Sequence, residues 1–460
     1  MTRERAASRI VTSGGLLTIL NESGASDVLS PLHAVNGLAE RLPGLFVVVV
    51  GTRAEAHIVQ SLPATPSPTL PRSPRTSARV AFVILDPTET PQQGRVASRV
   101  IEAAAGTRGT EFVLLVAGRS AELLGVDAGF EARLVARRLD LPAEAVNPDA
   151  AYDVPGTLST DLEDRTLAAL VEACPKKDTA DLVETLSPPK RSGLLGNFLG
   201  RGRDEARVGR GRPVVLLGAR FSPLSTRELA EGLGQSGVEV VGSVPGEGVR
   251  ELPALGEGTV VAVTDPNLTA ATRTAEERGA KPVRTLMPIG VDGTARFIQD
   301  VAAEAGVRAN ELARARLAWE GLEPLRNRVR GKRIFFAGDT GFEISLARFL
   351  ADAGAVVLEV GAPRLDKRFL GAELQALGPD VDVVQSPDWR GQIGRIDAAR
   401  PDMVLASPGL HVPLVARGQL CRSPRDFLEA GIHGYGGARR ILELLVRTFE
   451  RAEALDSVNL

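Results

Sequence analysis

The apolar run Ile334-Phe335-Phe336, which stops before Gly338, and the segment from Phe342 to Gly354 that follows it decide the fold. A short apolar run that ends at a glycine is typical of a buried parallel strand. In the second segment the apolar residues recur on one face of a helix, at Ile344, Ala347, Leu350 and Ala351. Gly354 is placed to end that helix. The stretch therefore predicts one strand followed by one helix.

The same pattern occurs in five other places along the chain. The further apolar runs are Leu45 to Val50 before Gly51, Phe112 to Val116 before Gly118, Val214 to Leu217 before Gly218, Val260 to Val263 before Asp265, and Met403 to Leu405 before Pro408. Strands at this spacing with helices between them predict α/β layers, that is, doubly wound parallel sheets. Such sheets bind ligands at the carboxyl ends of their strands. We therefore expect function in the loops that follow the strands.

Length and composition indicate a multi-domain globular protein. The 460 residues are 43% hydrophobic and 24% charged, and domains of about 100 to 200 residues predict two or three of them. The net charge of −2 provides no overall attraction to nucleic acid or to anionic lipid. No signal peptide and no apolar run of about 20 residues is visible. We expect a cytoplasmic protein that is not transmembrane and does not bind nucleic acid.

Several kinds of site have no support in the sequence. The two cysteines, Cys174 and Cys421, are far apart and form no CxxC pair, so neither a disulfide framework nor a zinc site is expected. No GxxxxGK[ST] loop occurs, so this chain is not expected to hydrolyse ATP. No GxSxG motif occurs either, and Ser120 has no base partner that the sequence reveals.

Several stretches resemble the N subunit of dark-operative protochlorophyllide reductase, a member of the nitrogenase-like reductases. They keep the order and spacing of that family and are Val49 to His57, Glu276 to Lys281, Pro288 to Thr294, Gly331 to Phe336, Glu343 to Leu350, Arg400 to Val404 and Ile432 to Tyr435. The resemblance runs over nearly the whole chain and is weakest in residues 58–110 and 176–212.

The resemblance implies a fold and a complex. The fold would be three Rossmann-like domains, and the complex a heterotetramer of two N and two B subunits. An ATP-hydrolysing iron-sulfur protein would deliver electrons through a [4Fe-4S] cluster between the N and B subunits. The substrate would be a tetrapyrrole, reduced at a ring double bond during bacteriochlorophyll biosynthesis. ATP would be bound by the partner, which fits the absence of a P-loop here.

The domain boundaries that we predict divide the chain into five parts. Residues 1–175 form an N-terminal Rossmann-like domain with degenerate cluster loops, and 176–212 a linker rich in glycine and arginine. Residues 213–330 form a second and 331–420 a third Rossmann-like domain. Residues 421–460 are a C-terminal helical segment that packs back on the core. Ser61 to Ser77, rich in proline, serine and threonine, is expected to be a surface loop.

The cysteine positions of the family carry no thiol in this chain. The resemblance implies three cysteine ligands from the N subunit, and matching the motifs places Ser30, Glu55 and Arg119 there. A guanidinium has no lone pair for iron, and iron-sulfur clusters favour thiolates. These residues are therefore not expected to bind the cluster. We expect instead an ion pair between Glu55 and Arg119 that fills the cavity.

Two hypotheses about activity remain open at this point. The chain is a subunit of a protochlorophyllide reductase-like complex, or it is a cluster-less, non-catalytic scaffold or tetrapyrrole-binding relative of that subunit. The sequence identifies no proton donor. His33, His57 and Asp339 lie in or near loops after strands, and a structural role is expected for each.

Overall fold

The structure is a computed structural model of the 460-residue chain. It describes residues 6–12, 15–22, 24, 32, 35–42, 44–61, 79–89, 91–147, 161–176, 211–218, 223–246, 248–378 and 381–457. Most of the predicted loop 61–77 and of the predicted linker 176–212 lies outside these ranges. Ser30 and His33 lie outside them too.

The first part of the chain forms a hairpin and a four-stranded sheet. Its elements are β1 (Ala6–Thr12), β2 (Gly15–Asn21), α1 (Val35–Arg41), β3 (Leu45–Gly51), α2 (Arg53–Ser61), β4 (Val80–Ile84), α3 (Arg95–Ala105), β5 (Phe112–Ala117), α4 (Arg119–Leu123), α5 (Ala128–Leu139), β6 (Ala143–Val146) and α6 (Asp161–Ala173). The parallel sheet has the order β4-β3-β5-β6. Every residue of β3 and β5 is buried, because a parallel sheet is covered by helices on both faces.

The second sheet also has four parallel strands. Its elements are β7 (Val214–Leu217), α7 (Pro223–Gln235), β8 (Val240–Val244), β9 (Val260–Val263), α8 (Thr269–Glu277) and β10 (Lys281–Val283), followed by the helices α9 (Gly290–Glu304) and α10 (Leu312–Val329). The strand order is β10-β9-β7-β8. The apolar runs at 214–217 and 260–263 are thus the two central strands, as their composition predicts.

The third sheet has seven strands and includes the N-terminal hairpin. Its other elements are β11 (Arg333–Ala337), α11 (Glu343–Asp352), β12 (Val356–Ala362), α12 (Lys367–Leu377), β13 (Asp382–Gln385), α13 (Trp389–Ala399), β14 (Met403–Ala406), α14 (Pro408–Val415), β15 (Cys421–Arg422), α15 (Pro424–Ala430) and α16 (Gly434–Ser457). The order is β1-β2-β13-β12-β11-β14-β15, with β2 parallel to β13. The hairpin β1–β2 is therefore part of the third sheet, although the sequence analysis assigned residues 1–175 to the first domain. The domain boundaries remain predictions.

The predicted helix after the opening strand agrees with α11. It begins after Phe342 and ends before Ala353. Gly354 has φ +99°, a left-handed conformation in which a residue with a Cβ is strained. The glycine therefore ends the helix as the sequence indicates.

The three sheets pack through shared cores. One buried cluster contains Val47 and Leu114 of the first sheet together with Leu217 and Val261 of the second. The long helix α16 contacts α7, α9 and α10, and Arg440 of α16 makes two bonds to the Glu228 carboxylate on α7, at 2.7 and 2.9 Å. Helix α16 therefore connects the second sheet to the third.

The strand orders confirm an α/β fold of three doubly wound, Rossmann-like layers. In each sheet the chain first runs outward on one side and then returns to the other side of the starting strand. The reversals lie between β3 and β5, between β7 and β9, and between β11 and β14. Ligand crevices of such folds open at these points, beyond the carboxyl ends of the strands. None of the helices in the described part of the chain has the length and apolar character that crossing a bilayer requires.

Candidate functional site

The Glu55 side chain lies at the point where the strand order of the first sheet reverses. It belongs to the first turn of α2, directly after β3. A Cβ at Gly51, or at Gly118 after β5, would overlap with the Glu55 carboxylate. The carboxylate therefore fills the space beyond the ends of the two central strands, and only glycine fits beneath it.

Four donors hold this carboxylate. The amide of Thr52 donates to Oε2 at 2.7 Å and the Thr52 hydroxyl at 3.1 Å. The amide of Ser120 donates to Oε1 at 3.1 Å, and the Ser120 hydroxyl donates to Oε2. Since Thr52 follows β3 and Ser120 follows β5, Glu55 connects two loops that are distant in sequence. We call Thr52, Glu55 and Ser120 the carboxylate latch.

The latch favours the ionised form of Glu55. Burial raises the pKa of the Glu55 carboxyl, but the hydrogen bonds from Ser120 and Thr52 lower it more strongly, and the pKa lies below its ordinary value. Hydrogen bonds to a charged acceptor stabilise the charged state in this way. Glu55 is therefore a carboxylate at neutral pH.

Arg119 is not part of the latch. Its side chain is exposed at the start of α4, and the ion pairs between described residues do not include one with Glu55. The expected Glu55–Arg119 pair is thus replaced by Glu55 and Ser120, the next residue along. No local pattern in the sequence indicates this partner for Ser120, because the two residues are 65 positions apart.

The residues present do not fit an iron-sulfur cluster at the family positions. Glu55 has its carboxylate engaged by four donors, and Arg119 cannot coordinate iron. Ser30 lies outside the described residues. Within the described ranges, no group of three or more His, Cys, Asp or Glu side chains is arranged to hold a metal ion.

The two cysteines cannot replace the missing ligands. Cys174 directly follows α6 and packs in the core that the first and second sheets share, whereas Cys421 lies in β15 at the edge of the third. Burial raises the pKa of the Cys174 thiol to about 12 and that of Cys421 to about 11. Both are therefore protonated packing residues at neutral pH, and only a thiolate is a good ligand for iron.

A second latch of the same design follows β11 in the third sheet. Glu343 accepts the Thr340 amide at 2.8 Å, the Thr340 hydroxyl at 2.7 Å and the Gly341 amide at 2.8 Å. A Cβ at Gly338 would overlap with its carboxylate. Thr52-x-x-Glu55 has the spacing of a capping box at the start of α2. Thr340-x-x-Glu343 has the same spacing, but the N-cap of α11 is Phe342. The capping-box spacing is a signal that could have indicated a structural role for Glu55 from the sequence.

Polar contacts join the three layers near the strand ends. Asn267, after β9, donates its amide to the carbonyl of Gly341 at 2.9 Å. Asp161 of α6 pairs with Arg364, after β12, at 2.6 Å. Loops of the second and third sheets and the start of α6 therefore meet in one region, which we call the crevice.

The crevice contains carboxyl groups that are difficult to ionise. Asp265 is buried, and burial raises the pKa of its carboxyl group to about 7. The hydrogen bonds from Asn267 lower this pKa, whereas the nearby charges of Glu163 and Asp164 raise it. Burial also raises the pKa of Asp164 to about 6, although its carboxylate accepts the Ala270 and Ala271 amides. Asp164 thus caps the start of α8 and joins α6 to the second sheet.

The remaining polar candidates are distributed over separate places. Asp339 is buried beside Arg425, with Oδ2 3.6 Å from Nη2. His57 is exposed on α2 and His411 is partly buried on α14. His433 is buried at the start of α16, and burial lowers its pKa to about 4. The structure therefore does not bring the three histidines of the described ranges together, and His433 is neutral at physiological pH.

Comparison with known proteins identifies relatives over almost the full length. The family of nitrogenase component 1 type oxidoreductases matches residues 98–450. The N subunit of light-independent protochlorophyllide reductase from Heliobacterium modesticaldum is 31% identical over 447 residues, which cover 95% of this chain and 97% of that protein. The N subunit from Roseiflexus sp. is 31% identical with 95% of both chains covered. The one from Synechococcus elongatus is 29% identical, with 95% of this chain and 94% of that protein covered.

A solved structure supports the fold independently. Nitrogenase Cp1 at pH 6.5 superposes with a TM-score of 0.64 at 14% identity, over 100% of this chain and 96% of that one. The family match, the identity to N subunits and the three doubly wound sheets agree with one another. The chain belongs to the nitrogenase component 1 type oxidoreductase family, where it is similar to the N subunits of light-independent protochlorophyllide reductase.

Proposed function

We propose that this chain is the N-type subunit of a nitrogenase-like reductase complex whose substrate is a tetrapyrrole. The observation that carries the proposal is collinearity with N subunits over 95% of the chain. A single shared domain would support only a shared fold, because one fold serves many functions. Similarity along the whole chain, together with three layers that meet at the Asn267–Gly341 and Asp161–Arg364 contacts, supports a shared role.

The proposed complex contains two further components. A B-type subunit pairs with this chain in a heterotetramer, and an ATP-hydrolysing iron-sulfur protein supplies electrons that originate from ferredoxin. The sequence of this chain has no GxxxxGK[ST] loop, which supports placing ATP on the partner. The reaction is reduction of a tetrapyrrole ring double bond in bacteriochlorophyll biosynthesis, in the cytoplasm.

The role that we propose for this chain is to hold the substrate and the partner. Its crevice provides the wall for one side of the tetrapyrrole. Asp265, with a pKa of about 7, and the buried Asp339 are the carboxyl groups near strand ends that suit hydrogen bonding to a ligand. We assign no electron-transfer step to Ser30, Glu55 or Arg119, because none of them is a thiol, the Glu55 carboxylate already accepts four hydrogen bonds, and a guanidinium has no lone pair for iron.

The carboxylate latch also favours a second candidate function. Glu55 is held by four hydrogen bonds and so stabilises the chain after β3. Glu343 has the same role after β11 of the third sheet. A relative that no longer transfers electrons would retain the fold and the crevice and would act as a scaffold or tetrapyrrole-binding protein. Both candidates share the partner and the ligand and differ in redox chemistry.

One anaerobic experiment separates the candidates. The chain is purified alone and co-expressed with a B-type subunit, and both preparations are measured for iron, for the broad visible absorbance of a cluster and for binding of protochlorophyllide. A complex that contains stoichiometric iron and reduces the tetrapyrrole with the iron-sulfur protein and ATP supports the first candidate. A complex that binds tetrapyrrole without iron supports the second.

The latch variant Glu55→Cys provides a matched control for this measurement. It places a thiol at the family position and removes the carboxylate. If the wild-type complex acquires iron through ligands of the partner alone, Glu55→Cys changes its iron content little. If neither the B-type subunit nor protochlorophyllide binds the wild-type chain, both candidates are wrong.

A further inference from the structure

A cavity of about 500 Å³ lies between α3 and α5 of the first sheet, away from the latch and the crevice. Its polar lining consists of Gln92, Gln93, Arg95, Ser98, Arg99 and Arg138. None of the residues that line it is acidic. The volume lies within the range of roughly 300 to 1,000 Å³ that small-molecule sites occupy.

This cavity is lined by residues of α3, of the turn before it and of α5, and not by the strand ends between β3 and β5. Helix α3 follows β4, and a smaller cavity of about 210 Å³ at the end of β4 shares Arg95 and Arg99 with it and is also lined by Asp86 and Glu89. The two arginines are four residues apart on α3, so they point to the same side of the helix. They therefore form a cationic wall near the carboxyl edge of the sheet.

The three arginines differ in how many of their N–H donors already bond to other residues of the protein. Arg95 pairs with Glu89 at 2.8 Å, with both side chains about half exposed. Arg99 makes one long bond of 3.4 Å to the carbonyl of Ile84. Within the described ranges Arg138 has no ion pair and no hydrogen bond to another residue. A guanidinium has five donors in a planar fork, so most of this capacity is available to a ligand.

The start of α3 does not itself supply the site. The Glu131 carboxylate, which is 3% exposed, accepts the Gly94 and Ala97 amides at 2.6 Å each. This carboxylate satisfies the helix terminus and offsets part of its positive potential. Recognition in the cavity must therefore come from the arginine and glutamine side chains.

We propose that this cavity binds a small polyanion that carries a diphosphate group. Three arginines on two helices surround one space, and guanidinium groups bind phosphate oxygens in bidentate geometry. The two glutamine amides and the Ser98 hydroxyl add neutral donors. The ligand is either inorganic pyrophosphate or the diphosphate part of a nucleotide.

The test uses the full chain and inorganic pyrophosphate. Isothermal titration at low ionic strength is expected to give saturable binding of one pyrophosphate per chain, and raising the salt concentration weakens it. Arg138→Ala and Arg99→Ala each weaken the affinity about tenfold, as the loss of a hydrogen bond to a charged group predicts. A parallel titration with ADP identifies the source, because tighter binding than pyrophosphate indicates a nucleotide and equal or weaker binding indicates pyrophosphate.

Arg137→Ala is the matched control. Arg137 lies beside Arg138 in the last turn of α5, is exposed and does not line the cavity. Arg137→Ala changes the net charge and the charge at the end of α5 in the same way as Arg138→Ala does. It is expected to change the affinity for pyrophosphate less than about twofold. Absence of saturable pyrophosphate binding to the wild-type chain overturns the proposal. An equal loss in Arg137→Ala and Arg138→Ala overturns it too, since the attraction would then be non-specific.

Discussion

Arg348 and Glu373 form an ion pair inside the third layer, with Nε 2.7 Å from Oε2 and side chains that are 3% and 1% exposed. Glu373 also accepts the amide of Met287 at 2.7 Å, and Arg348 donates to the carbonyl of Ile289 at 3.1 Å. The pair therefore joins α11 and α12 to the segment that leads into α9. Its buried charges compensate each other, and loss of Arg348 leaves Glu373 without its counter-ion, whereas Arg348 also lies 3.9 Å from the Asp352 carboxylate.

Arg348→Ala is expected to lower the free energy of unfolding by about 3 to 5 kcal/mol, because it leaves Glu373 buried and uncompensated. Urea denaturation followed by circular dichroism measures the change. Arg296→Ala removes the exposed Arg296–Asp300 pair and is the control, with an expected loss under about 1 kcal/mol. The double variant Arg348→Met/Glu373→Leu should recover part of the loss; a double variant as unstable as the two single changes added together would contradict the explanation.

Glu55→Gln is expected to destabilise the protein at pH 7 by about 1 to 3 kcal/mol, because an amide nitrogen replaces an acceptor for the donors of Thr52 and Ser120. The pKa of Glu55 is lowered in the folded state, so its contribution to stability is present above the ordinary pKa and is lost as pH falls through the lowered one. The difference between variant and wild type should therefore narrow toward acidic pH. Glu102→Gln, at an exposed position of α3, is the control, and equal stability of Glu55→Gln and wild type at pH 7 would refute the latch.

Asp265→Asn is expected to become more stable relative to the wild type as pH rises from 5 to 8. The pKa of Asp265 is raised to about 7, so the wild type is favoured while the carboxyl is protonated and loses stability as pH rises through that value. An asparagine oxygen can still accept the Asn267 bonds. Melting temperatures of both proteins across this pH range provide the measurement. Parallel curves would show that Asp265 does not titrate there.

Gly118→Ala is expected to destabilise the protein by about 1 to 3 kcal/mol, because its new methyl group overlaps with the Glu55 carboxylate and must displace it. The comparison is Gly394→Ala, in the interior of α13, where a methyl group meets no atom within 4 Å. That change should stabilise the helix by about 0.5 to 1 kcal/mol. Thermal unfolding of both variants measures the expected loss of stability in Gly118→Ala and the expected gain in Gly394→Ala. Unchanged stability of Gly118→Ala would show that the Glu55 carboxylate moves freely.

The sequence by itself determined the local elements. The six apolar runs are strands of the three sheets, and the helix after Phe342 ends before Gly354 as its pattern indicates. Its motif placed Glu55 directly after the strand Leu45 to Val50, where it lies in the first turn of α2 and not in a loop. These features depend on residues close together in the chain, where periodicity and turn residues decide the conformation.

Only the tertiary structure decided which distant residues meet. Glu55 contacts Ser120 because the ends of β3 and β5 are neighbours in the sheet. Arg119, the residue before Ser120 on α4, has an exposed side chain and does not pair with Glu55. The hairpin β1–β2 joined the third sheet because β2 pairs with β13, more than 350 positions away. Pairing of strands between distant segments depends on the packing of the whole chain, and no local pattern encodes it.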